Sequence, residues 1–287
     1  MLREIDVVIS TNKDLLGLET LINQIKNQSG KFEISIIIIH QYRKVENLPK
    51  FLVDNKILYK NLAEQNLSNA KNEGIKLSRS KIMTFIDDDV SISQDYFLSS
   101  WEFLNRNNCD LMFCRINKMN SNLPLSRNMK DNSKKINYFN SSCCLSSSMW
   151  INKKENENLY FDKNIGLGAK FGSGDETDFI FSSLSLKKKI YYNSKVSMYH
   201  PEEFIGLDNS KQIYSKFFSY GMGQGALYKK HYNKNKFLCI YLYFLSLIKS
   251  VLGIFLYLFF FKLKNVIKYF ALFYGKIVGF NNYKNIQ

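Results

Sequence analysis

The stretch KIMTFIDDDV, Lys81 to Val90, decides the fold. Its apolar run, Ile82 to Ile86, has the length of a strand that is buried in a mixed or parallel sheet, and it stops abruptly at Asp87, Asp88 and Asp89. Adjacent carboxylates repel one another unless a cation or several donors neutralise them. Because ligands bind at the carboxyl ends of strands in open α/β sheets, the acids predict a site for a hard metal or a polyol. A solvated acidic turn is the alternative.

The charge of the chain is concentrated near its C-terminal end. Of the net charge of +15 in 287 residues, twelve charges come from lysines in residues 211–287, where there is no Arg, Asp or Glu. These lysines punctuate an apolar and aromatic segment, which predicts contact with anionic lipid headgroups and not with nucleic acid. A chain of this length can hold one large domain, or one domain with an appendage.

Two further features predict a cytoplasmic compartment. The apolar part of the N-terminal MLREIDVVIS is too short for a signal peptide. The five cysteines are odd in number and contain no CxxC pair, which favours reduced thiols and gives no zinc site.

Apolar runs before the acidic stretch predict alternating strands and helices. The predicted strands lie at 5–10, 32–39 and 57–59, and the predicted helices lie at 15–28 and 62–77. Such a series implies a doubly wound sheet with right-handed crossovers. Beyond the acids we expect a helix at 95–105, a long surface loop at 118–137, and strands at 111–116, 141–151, 189–193 and 196–199.

A second group of acids, Asp175 to Asp178, follows a glycine-punctuated segment (165–174) and precedes a predicted helix at 179–186. Acids at the start of a helix also suit the helix dipole. Capping and catalysis therefore both remain open for this group.

In this order, the pieces resemble the family 2 glycosyltransferases of the GT-A fold. The resemblance covers residues 4–205 and rests on a first strand ending in Thr11-Asn12, on LSNAKNEGI (67–75) before the strand ending in DDD, on FDKNIGLGAKFGSGDETDF (161–179), and on a later strand ending in His200. It implies a GT-A doubly wound mixed sheet that is flanked by helices. It also implies transfer of a sugar from a nucleotide-sugar donor.

The resemblance implies roles for residues of the donor half. A divalent cation, Mn²⁺ or Mg²⁺, would bridge the donor diphosphate and neutralise the charge that develops on this leaving group. Asp87 and Asp89 would form the DxD pair. The predicted residues are Thr11, Asn12, Lys71, Asn72, Asp87 and Asp88 for the nucleotide sugar, and Asp89 and His200 for the metal.

The pair Asp175-Glu176 matches the acidic pair of the family's acceptor half, in which the second acid is the general base for the acceptor hydroxyl. Removal of that proton during attack gives inversion at the anomeric carbon. Glu176 would be the base, and Asp175 would orient it or bind the acceptor. The order here is Asp-Glu where the family has Glu-Asp, so Asp175 stays open as the base.

The C-terminal region predicts association with a membrane. The segment 237–261 has 25 residues and is therefore long enough to span a bilayer. Lys249 is its only charged residue. Because a lysine at mid-span costs about 2.5 to 3.5 kcal/mol, interfacial or re-entrant helices are favoured over a true span. The predicted division is a transferase domain (1–205), a basic helical connector (206–236) and membrane-associating helices (237–287).

Together, these patterns and what the resemblance implies predict a metal-dependent, inverting glycosyltransferase on the cytoplasmic face of a bacterial inner membrane. Its acceptor would be a glycan or a lipid-linked molecule in envelope or capsular polysaccharide synthesis. Two alternatives remain at this point: a catalytically silent, membrane-anchored protein that binds nucleotide sugars or glycans, and a nucleotidyltransferase.

Overall fold

The computed structural model of the chain describes residues 3–42, 45, 47–153, 159–201 and 209–284. Contacts group the chain into two compact units. The first unit comprises Met1–Gln65, Asn69–Tyr160 and Ser183–Glu203, and the second comprises Asn66–Ser68, Phe161–Ser182 and Phe204–Gln287.

Within the described residues, a mixed sheet of nine strands forms the first unit. Its strands are β1 (Arg3–Thr11), β2 (Phe32–Gln41), β3 (Ile57–Leu62), β4 (Ile82–Asp87), β5 (Ser91–Ile92), β6 (Leu111–Lys118), β7 (Lys134–Lys135), β8 (Met149–Asn152) and β9 (Ile190–His200). Their order is β3-β2-β1-β4-β8-β6-β9-β5, and β7 pairs with β9. Neighbouring strands from β3 to β4 run parallel, whereas β8 runs antiparallel to β4 and to β6. The predicted mixed sheet is therefore confirmed.

Helices connect the strands as predicted, with different ends. They are α1 (Glu19–Lys26), α2 (Leu67–Leu77), α3 (Tyr96–Arg106) and α4 (Asp175–Ser185). The helix predicted at 62–77 begins five residues later because Leu62 still pairs with Gln41 in the sheet. The helix predicted at 15–28 is divided: the Asp14 side chain caps a 3₁₀ turn at Leu15–Leu18, and α1 follows it.

Several strand predictions differ from the structure. β2 continues beyond the predicted end at Ile39, since His40 pairs with Thr11 and Asn61 on its two sides. The strand predicted at 141–151 is mostly 3₁₀ turns, and β8 starts only at Met149. The strands predicted at 189–193 and 196–199 form one strand, β9, whose pairing with β6 is irregular after Cys114.

The core of this unit brings the ends of β1 and β4 together. Both strands are buried along nearly their whole length, as expected for a sheet that is covered on both faces. Gly74 lets α2 lie directly on β1, because a Cβ at this position would clash with the Val8 side chain. The parallel register places Ser10 opposite Asp87, so Thr11 lies level with the acids that follow β4.

In the second unit, three long helices follow α4 in the chain. They are α5 (Ser210–His231), α6 (Lys236–Phe259) and α7 (Leu263–Asn282). A GxxxG pair on α5, Gly221 and Gly225, faces a second pair on α7, Gly275 and Gly279, and any Cβ there would meet the backbone of the partner helix. Helices packed through such small residues are common in membranes.

An aromatic and aliphatic cluster joins the end of α7 to the glycine-punctuated segment before α4. Tyr283, Ile165, Phe171 and Ala226 are all buried in it. The rings of Phe171 and Tyr283 lie 5.5 Å apart. The C-terminal residues thus contribute to the core beside the second acidic group.

Among the described residues, α6 is the one helix that is long and apolar enough to cross a bilayer, with a mean hydropathy of 2.0 over its most apolar window. Only 17% of that window is buried. Large apolar side chains recur on its exposed side at helical spacing: Phe237, Tyr241, Phe244, Ile248, Leu252, Phe255 and Phe259.

Candidate active site

The acids after β4 contact the end of β1. The Thr11 hydroxyl donates a hydrogen bond to Asp88, and the backbone N–H of Lys13 donates to the Thr11 oxygen at 3.0 Å. Thr11 is 2% exposed, and the Asp88 side chain is 10% exposed. The turn after β1 is therefore held against the acidic stretch.

Two basic side chains contact the same carboxylates. Lys13 Nζ donates to Asp88 Oδ1 at 2.7 Å and to Asp89 Oδ2 at 2.8 Å. His200, the last residue of β9, has its Nε2 at 3.3 Å from Asp89 Oδ1 and at 3.9 Å from Asp87 Oδ2. Burial would lower the pKa of Lys13, but its hydrogen bonds to the two carboxylates raise that pKa above its ordinary value.

Lys71 contributes charge to this site from α2. It is 2% exposed, and its Nζ donates to Ser146 Oγ at 2.6 Å. Desolvation raises the pKa of the Asp87 carboxyl above its ordinary value, and the charges of Lys71 and His200 only partly oppose this effect. Because 40% of the Asp87 side chain is nevertheless exposed, a dissolved cation can reach it and stabilise its charged form.

The two predicted asparagines lie beside these residues in the chain. Asn12 is exposed in the turn after β1, between Thr11 and Lys13. Asn72 is 3% exposed and follows Lys71 on α2. Contact of either asparagine with a nucleotide remains a prediction.

The donor atoms at this site suit a divalent metal that a ligand helps to hold. Among the described residues, no group of three or more His, Cys, Asp or Glu side chains is arranged to enclose a metal ion. Asp89 Oδ1 and His200 Nε2, however, lie 3.3 Å apart, close to the separation of about 3 Å between adjacent ligands of one small cation. His200 Nδ1 lies 2.6 Å from the Pro201 carbonyl and donates its proton there, which leaves Nε2 available as a ligand. Such ions commonly take their remaining ligands from water and substrate phosphates.

The second acidic group forms the start of α4. Asp175 is 5% exposed, whereas Glu176 is only half-buried. Gly166 has a φ of +123° and lies against Asp175, so that a Cβ on Gly166 would sit 3.1 Å from the Asp175 carboxyl carbon. The glycine-punctuated segment thus covers Asp175 and leaves Glu176 the more accessible acid.

A buried polar network holds α4 against α5 and the chain after α7. Asp178 accepts a hydrogen bond from Lys230 Nζ at 2.7 Å and lies 2.8 Å from His231 Nε2. Asp162 lies 3.0 Å from Lys230 Nζ and accepts a hydrogen bond from the Tyr283 hydroxyl at 2.6 Å. Lys230 therefore joins Asp178, on α4, to Asp162, which precedes the glycine-punctuated segment.

The network also shifts the ionisation of its members. Burial alone would raise the pKa of Asp162, but Lys230 and the Tyr283 hydroxyl outweigh it and hold that pKa below its ordinary value. Burial would lower the pKa of Lys230, but Asp178 and Asp162 raise it above its ordinary value. Both shifts favour the charged pair, so the network stabilises the fold at neutral pH.

Sequence reasoning missed both this network and the Lys13 contact. His231 has no motif around it, and its partner Asp178 is separated from it by 53 positions. Lys13 could have been found, because it stands two residues after Thr11 at the end of the strand beside the acids.

We expect Lys230→Met to lower the free energy of unfolding in mild detergent by about 3 kcal/mol, because it leaves two partly or fully buried carboxylates without their ammonium. The loss should be largest at neutral pH. The loss should shrink as the pH falls through the depressed pKa of Asp162, because a protonated carboxyl group is neutral and is no longer stabilised by the Lys230 ammonium.

Lys229→Met provides the matched control. Lys229 precedes Lys230 on α5 but lies over the rings of Tyr232 and Phe280, at 5.7 and 5.2 Å. Its loss should cost less than about 1 kcal/mol. Equal losses in the two variants, or a loss that does not depend on pH, would contradict the role given to Lys230.

The chain is similar to known glycosyl transferases, through a family model and through the fold of solved structures. The family model described as Glycosyl transferase family 2 matches residues 6–170, and no curated protein sequence matches the chain. Among solved structures, a mannosyltransferase of Pyrobaculum calidifontis, PcManGT, in complex with GDP-Man and Mn²⁺ matches 96% of this chain and 86% of its own, with a TM-score of 0.62 at 10% identity.

A second structure, S. aureus TarS 1–349, matches 96% of this chain and 90% of its own, with a TM-score of 0.59 at 12% identity. Of a longer S. aureus TarS structure, this chain covers 43%, with a TM-score of 0.57 at 13% identity. TarS 1–349 is also known in complex with UDP and with UDP-GlcNAc. At these identities the structural matches show the GT-A fold alone, whereas the family model covers more than half of the chain. The chain therefore belongs to glycosyl transferase family 2.

Proposed function

We propose that the protein is a metal-dependent, inverting glycosyltransferase that moves a sugar from a nucleoside-diphosphate donor to a hydroxyl of a glycan or lipid-linked acceptor. The observation that carries this proposal is the meeting of Asp87, Asp88 and Asp89 with Thr11 and His200 at the carboxyl ends of β1, β4 and β9. The complexes of PcManGT with GDP-Man and Mn²⁺ and of TarS 1–349 with UDP-GlcNAc support it by analogy of fold.

In this proposal, the donor half binds the nucleoside diphosphate. Thr11 and Asn12 border the nucleotide, and Lys71 and Asn72 lie near it. Asp89 and His200 would hold Mn²⁺ or Mg²⁺, and Asp87 and Asp88 would complete the acidic surface. The bound cation would supply positive charge to the diphosphate leaving group.

The acceptor half supplies the base. Glu176 accepts the proton of the acceptor hydroxyl while its oxygen attacks the anomeric carbon, and the bond from that carbon to the diphosphate oxygen breaks. The partial exposure of Glu176 supports this assignment, because an acceptor hydroxyl must approach within hydrogen-bond distance of the base. The burial of Asp175 supports a role in orienting the start of α4.

The enzyme should release nucleoside diphosphate from at least one of a panel of UDP- and GDP-sugars, with Mn²⁺ present and a membrane glycan extract as the acceptor source. Glu176→Gln keeps the size and hydrogen bonding of the side chain but cannot take a proton. Its kcat should fall by roughly 10² to 10⁴, while the Kd for the donor stays unchanged.

Asp175→Asn is the matched variant and should cost less. A larger loss in Asp175→Asn would make Asp175 the base. If wild-type protein binds nucleotide sugars but turns none over, the silent binding protein is favoured. If it instead forms pyrophosphate from a nucleoside triphosphate and a sugar phosphate, the nucleotidyltransferase alternative is correct.

We also propose that residues 237–287 attach the enzyme to the cytoplasmic leaflet of a bacterial inner membrane, where envelope or capsular polysaccharide is assembled. Phe259, Phe260 and Phe261, at the turn between α6 and α7, are 76, 56 and 89% exposed. Lys262 and Lys264 follow them. Exposed aromatic rings next to lysines suit the boundary between acyl chains and anionic headgroups. Lys249, exposed near the middle of α6, favours a helix in the interface over a span.

Replacing Phe259, Phe260 and Phe261 together by serine should reduce flotation with vesicles of phosphatidylglycerol and phosphatidylcholine by at least about tenfold. Phe139→Ser is the matched control, since Phe139 is 66% exposed in the first unit. It should leave flotation unchanged. Equal flotation of the triple variant and the wild type would place the membrane contact elsewhere.

This attachment would complete the proposed division into a transferase domain (1–205), a basic connector (206–236) and membrane-associating helices (237–287). Lys230, which lies in the proposed connector, also holds the start of α4 through its hydrogen bond to Asp178. Substitution at the exposed turn therefore tests attachment more cleanly than deletion of the tail, which would remove Tyr283 from its buried cluster.

A further inference from the structure

Lys13 occupies the acidic site in an unusual way for a surface lysine. Its side chain is 55% exposed, yet its Nζ donates to two different carboxylates, Asp88 at 2.7 Å and Asp89 at 2.8 Å. The backbone of the same residue is fixed on both sides, because its N–H donates to Thr11 and its carbonyl lies 3.2 Å from His40 Nε2. The backbone of Lys13 is thus held in place, whereas its ammonium lies at the end of a flexible, solvent-exposed side chain.

The ammonium and a divalent cation would compete for the same oxygens. The adjacent carboxylates at 87 to 89 repel one another unless positive charge neutralises them, and the Lys13 ammonium supplies such charge to two of them. Because the Lys13 side chain is 55% exposed and the Asp89 side chain is 35% exposed, water screens this ion pair and it contributes little to stability. A dissolved divalent cation can therefore displace it at modest cost.

A displaced Lys13 would retain an anionic partner. The diphosphate of a bound donor would lie beside the cation at Asp89, within the region that the lysine stem already reaches from the turn after β1. An ammonium on a flexible four-carbon stem is a good point-charge partner for a phosphate oxygen.

We propose that Lys13 is a displaceable internal cation: it neutralises Asp88 and Asp89 when metal is absent, and it moves onto the donor diphosphate when metal binds. The inference rests on the proposed function, in which Asp89 is a metal ligand. If so, Lys13 has opposite effects on two binding equilibria. Lys13 weakens the binding of metal alone, and it strengthens the binding of nucleotide in the presence of metal.

Calorimetric titration of the full-length protein in detergent measures both affinities and does not require the enzyme to turn over. With Lys13→Met, the affinity for Mn²⁺ alone should rise by about threefold to tenfold, because the competing ammonium is gone. The affinity for UDP or GDP at saturating Mn²⁺ should fall by about tenfold, because one charged contact to phosphate is lost. Lys13→Arg keeps the charge and should change each affinity less.

Lys26→Met is the matched control for loss of an exposed lysine. Lys26 pairs with Asp54 at 2.6 Å and is 39% exposed. This variant should leave both affinities within about twofold of wild type.

The outcomes separate this inference from the proposed function. If Mn²⁺ binds wild type, if Asp89→Ala abolishes that binding, and if Lys13→Met changes neither affinity, the Lys13 inference alone is wrong. The same holds if both affinities move in one direction. If Mn²⁺ binds neither wild type nor any variant, even with nucleotide, the metal site and the Lys13 inference fail together.

Discussion

The site depends on the parallel pairing of β1 with β4. This pairing sets Ser10 opposite Asp87 and so brings the turn at Thr11 against the acidic stretch. Buried apolar strands fix that register, because a shift by one residue would exchange the side chains that pack on the two covered faces of the sheet. The acids then meet cationic and polar groups that local sequence does not supply: Lys13 from the turn after β1, Lys71 from α2 and His200 from β9. In the proposed function, this meeting of opposite charges would bind the charged diphosphate of a donor.

In the second unit, the start of α4 depends on residues far along the chain. Asp178 is held by Lys230 and His231, and Asp162 is held by Lys230 and Tyr283. The buried side of the C-terminal helices orders the acidic segment that would carry the base. In the proposed function, the exposed side of α6 contacts a membrane, and attachment and order at α4 would then be linked through the packing between α5 and α7.

Sequence reasoning succeeded where the signal was local. The apolar run before Asp87 predicted β4, the strand and helix alternation predicted the mixed sheet, and the order of motifs predicted the family. It failed where distant contacts decide the outcome. The Ser and Cys rich residues 141–148 form turns and not a strand. The role of His231 could not be predicted, because Asp178 lies in another part of the chain. Among the twelve lysines after residue 210, no local sequence feature distinguishes Lys230, which pairs with buried acids.

In the proposed function, Asp89 and His200 hold a divalent cation together with the diphosphate of a sugar donor. Anomalous diffraction from crystals grown with Mn²⁺ and UDP or GDP is a direct test of this role. We expect one strong manganese peak between Asp89 Oδ1 and His200 Nε2, with diphosphate oxygens completing its coordination and Lys13 released from the carboxylates. A nucleotide bound with no manganese peak at these residues, or a peak at a different set of side chains, would contradict it.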